Sequence, residues 1–373
     1  LIGQLIAGQS YTLEEVEPPS GYAYSKKIPF TVPQSPKTIE IVMKDKPTNL
    51  LVEKLTEAMV ASPSEAEHQL SGFKLQILNA DKSPAIAART TDDFKAGEEL
   101  IFTTGNQFKQ LIGQLIAGQS YWLHEISPRD GYAYAEDVMF TVSLDGREDI
   151  VLMVDKPTQV IVSKKAITGD NELPGNYMSI RNMAGAVIEE WISAEDPHII
   201  TAKLVAGETY LLCEERPLEG YAYASAVKFT VSLDGTIDRI EMKNEMTKVR
   251  IIKMNSSGNH LKGAMLQVLD AQKNIVIPDF ESTGDAMEIT GQLTADRLYY
   301  LHEVQAPTGY LLSADVPFTV PKGAEVVEVR MTDPKKPTSG PDVNQMYLRK
   351  VDANTGKGIE LSLIHISEPT RPI

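Results

Sequence analysis

The 373-residue chain has a single cysteine, Cys213, so no internal disulfide can form. Six scattered histidines beside one cysteine give no zinc-ligand spacing, so no metal or cofactor is expected, and these seven side chains read as surface or loop residues. No run of about 18 apolar residues marks a membrane-spanning helix. Basic residues are scarce relative to acidic ones, 36 against 51, for a net charge of −15. Nucleic acid, whose binding needs a basic face to displace counterions from phosphates, is therefore excluded as a partner. Amphipathic helical periodicity is missing too. What remains is a soluble, globular composition: 42% hydrophobic residues, enough to fill two to four domain cores.

Repetition fills that space. "LIGQLIAGQSY" stands at 1–11 and again, unchanged, at 111–121. The repeat continues through a Tyr-x-Leu-x-Glu box to a Gly-Tyr pair: "YTLEEVEPPSGY", "YWLHEISPRDGY", "YLLCEERPLEGY" and "YYLHEVQAPTGY". Their glutamates, Glu15, Glu125, Glu214 and Glu303, are 110, 89 and 89 residues apart. Phe-Thr-Val segments start at Phe30, Phe140, Phe229 and Phe318 in the same spacing. An apolar segment then ends in Asp45, Asp155, Asn244 and Asp333, 30 residues after each glutamate. Lysines recur near the start of each copy at Lys54, Lys164 and Lys253, and Lys350 opens a further one.

Short alternating segments rich in Val, Ile, Tyr and Thr, bounded by Gly, Pro and Asp-Gly turns such as "SLDG" at Ser143 and Ser232, read as strands. Units of about 89 residues built this way predict an all-β chain of tandem immunoglobulin-like or prealbumin-like antiparallel β-sandwiches arranged as a rod. The expected division is 1–46 (the C-terminal part of a truncated domain), 47–156, 157–245 and 246–334 (complete domains), 335–343 (linker) and 344–360 (the start of another domain). The 47–156 unit is 21 residues longer, all before its glutamate, which predicts enlarged loops. Residues 361–373, "LSLIHISEPTRPI", depart from the repeat and read as an adapter-derived tail. Proline and short length make the joints at "DKPT" and "NEMT" stiff.

Alternate side chains of a strand share a face. Tyr210, Leu212 and Glu214 are in phase, and Glu14, His124, Cys213 and His302 occupy the opposite, solvent-side slots. Lys54 is in phase with Leu50 and Val52, Lys164 with Val160 and Val162, and Lys253 with Val249 and Ile251. Asp155, Asn244 and Asp333 likewise follow Val151 and Met153, Ile240 and Met242, and Val329 and Met331. Each complete unit thus turns one lysine, one glutamate and one Asp or Asn toward its core, where an unpaired charge costs several kcal/mol. A buried ion pair would account for any one of them. Recurrence of the whole trio points to a feature that serves the domain itself, since a site for an external substrate need occur only once. Desolvation lowers a lysine's pKa and raises a carboxyl's, and a neutral amine is a nucleophile. The chemistry that fits is an amide bond from the lysine amine to the Asp or Asn carbonyl, with the glutamate polarising the carbonyl and relaying protons. That is single-turnover maturation, so the chain is not expected to be an enzyme.

The Tyr-x-Leu-x-Glu box, "FTV", the closing "VDKPT" strand and the opening "VSK" or "IIK" strand resemble the collagen-adhesin B-type domains, also called CnaB-like or SpaA-like prealbumin domains, of Gram-positive surface proteins and pili. The resemblance covers nearly the whole chain. It implies intramolecular isopeptide sites at Lys54/Glu125/Asp155, Lys164/Glu214/Asn244 and Lys253/Glu303/Asp333, with Glu15, Asp45 and Lys350 as members of truncated domains. Ala166 and Asn255 stand where the family often has an acidic residue two after the lysine. The implied role is a structural stalk on the cell surface: extracellular, attached to the wall by sortase in the full-length protein, and meeting host matrix protein or glycan through regions outside this sequence. Ligand-binding adhesin repeats and accessory modules of a secreted carbohydrate-active enzyme are the alternatives. "LPGNY" at Leu173 aligns with "LSG" at Leu70 and "LKG" at Leu261 and reads as a strand-turn element rather than a sorting signal.

Overall fold

The computed structural model describes residues 4–62, 69–337 and Val351. Lys350, most of the 335–343 linker and nearly all of 344–373 lie outside the described residues. Strands β1 (Ser10–Leu13) and β2 (Ile28–Thr31) come first. They are followed by β3 (Asn49–Thr56), α1 (Glu57–Ala61), β4 (Lys74–Asn79), β5 (Ile101–Thr103), β6 (Lys109–Ile112), β7 (Ser120–Ser127), β8 (Val138–Thr141) and β9 (Glu148–Asp155). The next set is β10 (Gln159–Ala166), β11 (Tyr177–Asn182), β12 (Val187–Ile192), β13 (His198–Thr201), β14 (Thr209–Arg216), β15 (Val227–Thr230) and β16 (Asp238–Asn244). The last is β17 (Lys248–Asn255), β18 (Lys262–Asp270), β19 (Ile275–Thr283), β20 (Met287–Thr290), β21 (Leu298–Gln305), β22 (Val316–Thr319) and β23 (Val327–Asp333). The chain divides into two compact units, one of Leu1–Arg250 with Glu288–Leu298 and Thr319–Glu328, the other of Ile251–Met287, Tyr299–Phe318 and Val329 onward.

In the first unit two sandwiches follow one plan. A four-stranded antiparallel sheet, β5-β4-β7-β8 or β12-β11-β14-β15, faces a three-stranded one, β6-β3-β9 or β13-β10-β16. One cluster draws Val160 and Val162 from β10, Met178 and Ile180 from β11, Leu212 from β14 and Met242 from β16, so the two sheets share a core. The three-stranded sheets add a feature to the antiparallel expectation: their first and last strands run parallel, Val52 opposite Val151 and Val162 opposite Ile240. This follows from sandwich connectivity, because a chain entering and leaving at opposite ends needs its terminal strands to point the same way. In the second unit β19-β18-β21-β22 form the corresponding four-stranded sheet, and β17 neighbours β23.

Two local departures appear. The extra length of the second repeat holds a five-residue helix, α1, capped by the Thr56 hydroxyl accepting from the Met59 amide. Residues 38–46, expected as a strand ending in Asp45, form none, and no described strand stands beside them in the way β3 stands beside β9.

The joints within the first unit are close-packed. Thr48, Thr158 and Thr247, each at the start of its repeat, are buried, and each hydroxyl donates to a carbonyl of its own repeat: Leu115 (2.9 Å), Leu204 (2.7 Å) and Leu293 (2.7 Å). Their amides donate back to Gly21, Gly131 and Gly220 of the preceding Gly-Tyr pairs. Those glycines have φ near +85°, and a Cβ on Gly131 would stand 2.4 Å from the Ala202 carbonyl oxygen, so only glycine lets the backbones approach. A third contact comes from the following repeat's hairpin, where Leu144 and Leu233 carbonyls accept from Tyr24 and Tyr134 amides, both at 2.8 Å.

Candidate functional site

Strand phase delivers the trio to the interior as expected: no member of the three complete sets is more than 9% exposed, and Lys54 and Asp333 are at 0%. In the first set Lys54 Nζ lies 2.9 Å from Glu125 Oε1 and 2.5 Å from Asp155 Oδ1. In the second, Lys164 Nζ is 2.9 Å from Glu214 Oε1 and also touches Asn244 Oδ1. In the third, Lys253 Nζ is 2.7 Å from Glu303 Oε1 and touches Asp333 Oδ1. The parallel register produces this geometry: Thr56 is opposite Asp155 and Ala166 opposite Asn244, so lysine and acceptor sit two residues apart along adjacent strands on one face.

Each glutamate arrives from the facing sheet beside a β-bulge. Pairing across β4 and β7 steps from Lys74 opposite Ser127 to Leu75 opposite Glu125, leaving Ile126 as an extra residue. The same step leaves Glu215 extra in β14 and Val304 extra in β21. A bulge re-aims the neighbouring side chain, here across the core toward the lysine. The other carboxylate oxygen, Oε2, is held by a backbone amide ten residues on, from Ala135 (2.7 Å), Ala224 (2.8 Å) or Ser313 (2.8 Å).

The surroundings bias the charges. Burial pushes the Asp155 carboxyl up to about 6, opposed by the charge and hydrogen bond of Lys54 and aided by the Glu125 charge. Burial also pushes Lys164 below the ordinary lysine range, against the pull of Glu214. Asn244 Nδ2 donates to Glu214 Oε1 at 2.8 Å and to the Ala222 carbonyl at 3.2 Å. In the aspartate sets the corresponding atom is an oxygen, and Asp155 Oδ2 and Asp333 Oδ2 are buried without a hydrogen-bond partner. A proton on Asp155 satisfies its oxygen, consistent with the raised carboxyl there.

Neighbours that the strand pattern does not announce fix the lysines. Lys54 and Lys164 amides donate to Gln69 Oε1 (3.2 Å) and Glu172 Oε2 (2.8 Å). The aligned leucines Leu70, Leu173 and Leu261 each donate their amide to the carbonyl of Lys54, Lys164 or Lys253, which places "LPGNY" in the strand-turn element. In the first fragment Glu15 Oε2 accepts from the Ser25 amide, and Asp45 Oδ1 from the Ser25 hydroxyl, so those two members meet through one serine. Among the described residues no group of three or more His, Cys, Asp and Glu could hold a metal ion, and no helix is long and apolar enough to cross a membrane.

Comparison with curated proteins gives no match. Among solved structures, the Bacillus anthracis TIE protein is 16% identical over 79% of this chain and 55% of its own, with a TM-score of 0.35. The chain therefore spans about half the length of that protein. The shaft pilin SpaA of Lactobacillus rhamnosus GG is 12% identical over 49% of this chain and 99% of its own, TM-score 0.25. A streptococcal ancillary pilin is 18% identical over 78% and 99%, TM-score 0.29. The family profile for the SpaA prealbumin-like fold domain matches residues 158–246 and 247–335. Those two stretches each hold one complete trio, and each is a SpaA prealbumin-like fold domain, so the chain carries this domain in two tandem copies.

Proposed function

We propose that these domains are load-bearing stalk modules of a surface adhesin or pilus-like protein, each closed by an intramolecular isopeptide bond that its own trio forms. The observation that carries this reading is the fully buried Lys/Glu/Asp-or-Asn contact, present three times at the same strand positions.

The chemistry follows from the contacts. Lysine passes a proton to the glutamate 2.7–2.9 Å away and becomes a neutral amine. Its lone pair attacks Cγ of the acceptor, and the carbonyl electrons move onto Oδ1. The carbonyl re-forms as the glutamate delivers that proton to the departing group, which leaves as water from protonated Asp155 or Asp333 and as ammonia from Asn244, and the glutamate carboxylate then takes the second proton from the new amide nitrogen. Asn244 Nδ2 already points at Glu214 Oε1, the geometry this last transfer requires. Burial favours each step, since it weakens the charged forms of Lys164 and Asp155 and excludes competing water. Closing loops of 101, 80 and 80 residues would stabilise each fold by about 4 to 5 kcal/mol if loop entropy acts as it does for disulfides.

Intact-mass measurement tests the reading. Two losses of water and one of ammonia put the chain about 53 Da below its sequence mass. Glu125→Ala, Glu214→Ala and Glu303→Ala should each restore one increment, about 18, 17 and 18 Da. A wild-type mass equal to that of the sequence would overturn the cross-link.

A further inference from the structure

The third site contains a group that its two siblings lack. Ser313, whose amide holds Glu303 Oε2, also sets its hydroxyl 2.6 Å from Asp333 Oδ1, the same oxygen that Lys253 Nζ touches. Alanine fills this place as Ala135 and Ala224 in the other two complete sets, where the amide contact is kept and no hydroxyl is available. The arrangement recurs in the first fragment, where Ser25 donates its amide to Glu15 and its hydroxyl to Asp45 Oδ1 at 2.7 Å. It is thus a property of the position rather than of one crowded corner.

Resting on the isopeptide reading above, we propose that Ser313 is a fourth catalytic residue of the Lys253–Asp333 site, donating to the oxyanion that forms on Asp333 Oδ1. The hydroxyl has one proton and two acceptors within reach, Asp333 Oδ1 and the Thr332 carbonyl at 2.5 Å. Before reaction the two compete. As the Lys253 nitrogen bonds to Cγ, the carbonyl π electrons become a full charge on Oδ1, and the serine proton turns to it. The interaction is therefore stronger in the transition state than before it, which is the condition for acceleration. The remaining atoms balance as before: the C–N bond forms, the bond from Cγ to Oδ2 breaks, and Oδ2 leaves as water with the proton relayed by Glu303. Ser313 is regenerated unchanged.

The test is a time course of cell-free synthesis of the full chain, quenched in denaturant and read by peptide mass for each of the three joined pairs. Ser313→Ala keeps the amide and reproduces what Ala135 and Ala224 already tolerate. It should slow joining of Lys253 to Asp333 by about tenfold, less than the hundredfold or more lost with a dedicated oxyanion donor, because the serine also has a ground-state partner. Joining at Lys54–Asp155 and Lys164–Asn244 in the same molecules should keep its rate. The converse variant, Ala135→Ser, should speed Lys54–Asp155 joining by a similar factor. Equal rates at Lys253–Asp333 in parent and Ser313→Ala overturn the proposal, as does equal slowing at all three sites, which reports on folding alone. A parent chain with no joined Lys253–Asp333 peptide overturns the isopeptide reading for that domain and the serine's role with it.

Discussion

Pulling the chain from its ends gives the sharpest separation between a stapled and an unstapled domain. In the 159–244 sandwich the entering strand β10 and the leaving strand β16 are parallel, with seven register pairs from Val160–Asp238 to Ala166–Asn244. Tension enters at the start of β10 and leaves at the end of β16. An unjoined domain therefore resists by shearing that pair, and then releases the chain between Lys164 and Asn244, 80 residues apart. At about 3.3 to 3.6 Å per extended residue this is a step of about 27 nm. With the two side chains joined, the load crosses from Lys164 to Asn244 and those residues stay folded, so the step vanishes. Glu214→Ala should add a single 27 nm step that the wild-type record lacks. Lys164→Met should do the same while sparing Glu214 its contacts with Asn244 and the Ala224 amide, which guards against misreading a domain that lost its buried partner. Single-molecule force extension on the full chain provides the assay. A 27 nm release in the wild-type chain, or none in both variants, would refute the reasoning.

Other outcomes follow from single contacts. In a Glu125→Ala chain, where Lys54 and Asp155 stay unjoined, burial still holds the Asp155 carboxyl above its usual 3.8. The folded state then binds the extra proton, so this stability is complete below about pH 4 and is lost as pH rises through the raised Asp155 pKa. Its melting temperature should fall across that window, and the fall should be absent in Glu125→Ala/Asp155→Asn. Thr158→Val leaves the Leu204 carbonyl without its donor, at a cost of about 1 to 3 kcal/mol. The neighbouring Ala202 amide, which donates to Thr158, should then exchange about ten- to a hundredfold faster. Gly131→Ala meets both an unfavourable φ of +87° and the Ala202 carbonyl, whereas Gly97→Ala has the same φ and open space around it. Thermal unfolding should show the larger loss for Gly131→Ala; equal losses would mean that close approach at the joint is not what the glycine serves.

The trio was legible because it rests on period-two alternation, which survives any error in strand ends. Lys164 two residues after Val162 has to share its face, and Val162 has to be buried. The contacts that complete the site were not legible, because they are made by the backbone. Nothing in the letters of "CEER" states that Glu215 bulges, or that the Ala224 amide reaches Glu214. The parallel pairing of β3 with β9 is likewise a property of the route between them, and alternation cannot report direction. Asp45 shows the converse: its sequence repeats that of Asp155, yet 38–46 form no strand, since a strand also needs a neighbour.

The joint has a consequence for how such a chain can change length. Each copy carries a Gly-Tyr turn that meets the copy after it, and a threonine and a hairpin that meet the Gly-Tyr turn of the copy before it. Both halves are encoded within a single repeat. A copy gained or lost in register therefore creates a boundary whose two faces already match, and the array can lengthen by duplication without any new interface having to evolve.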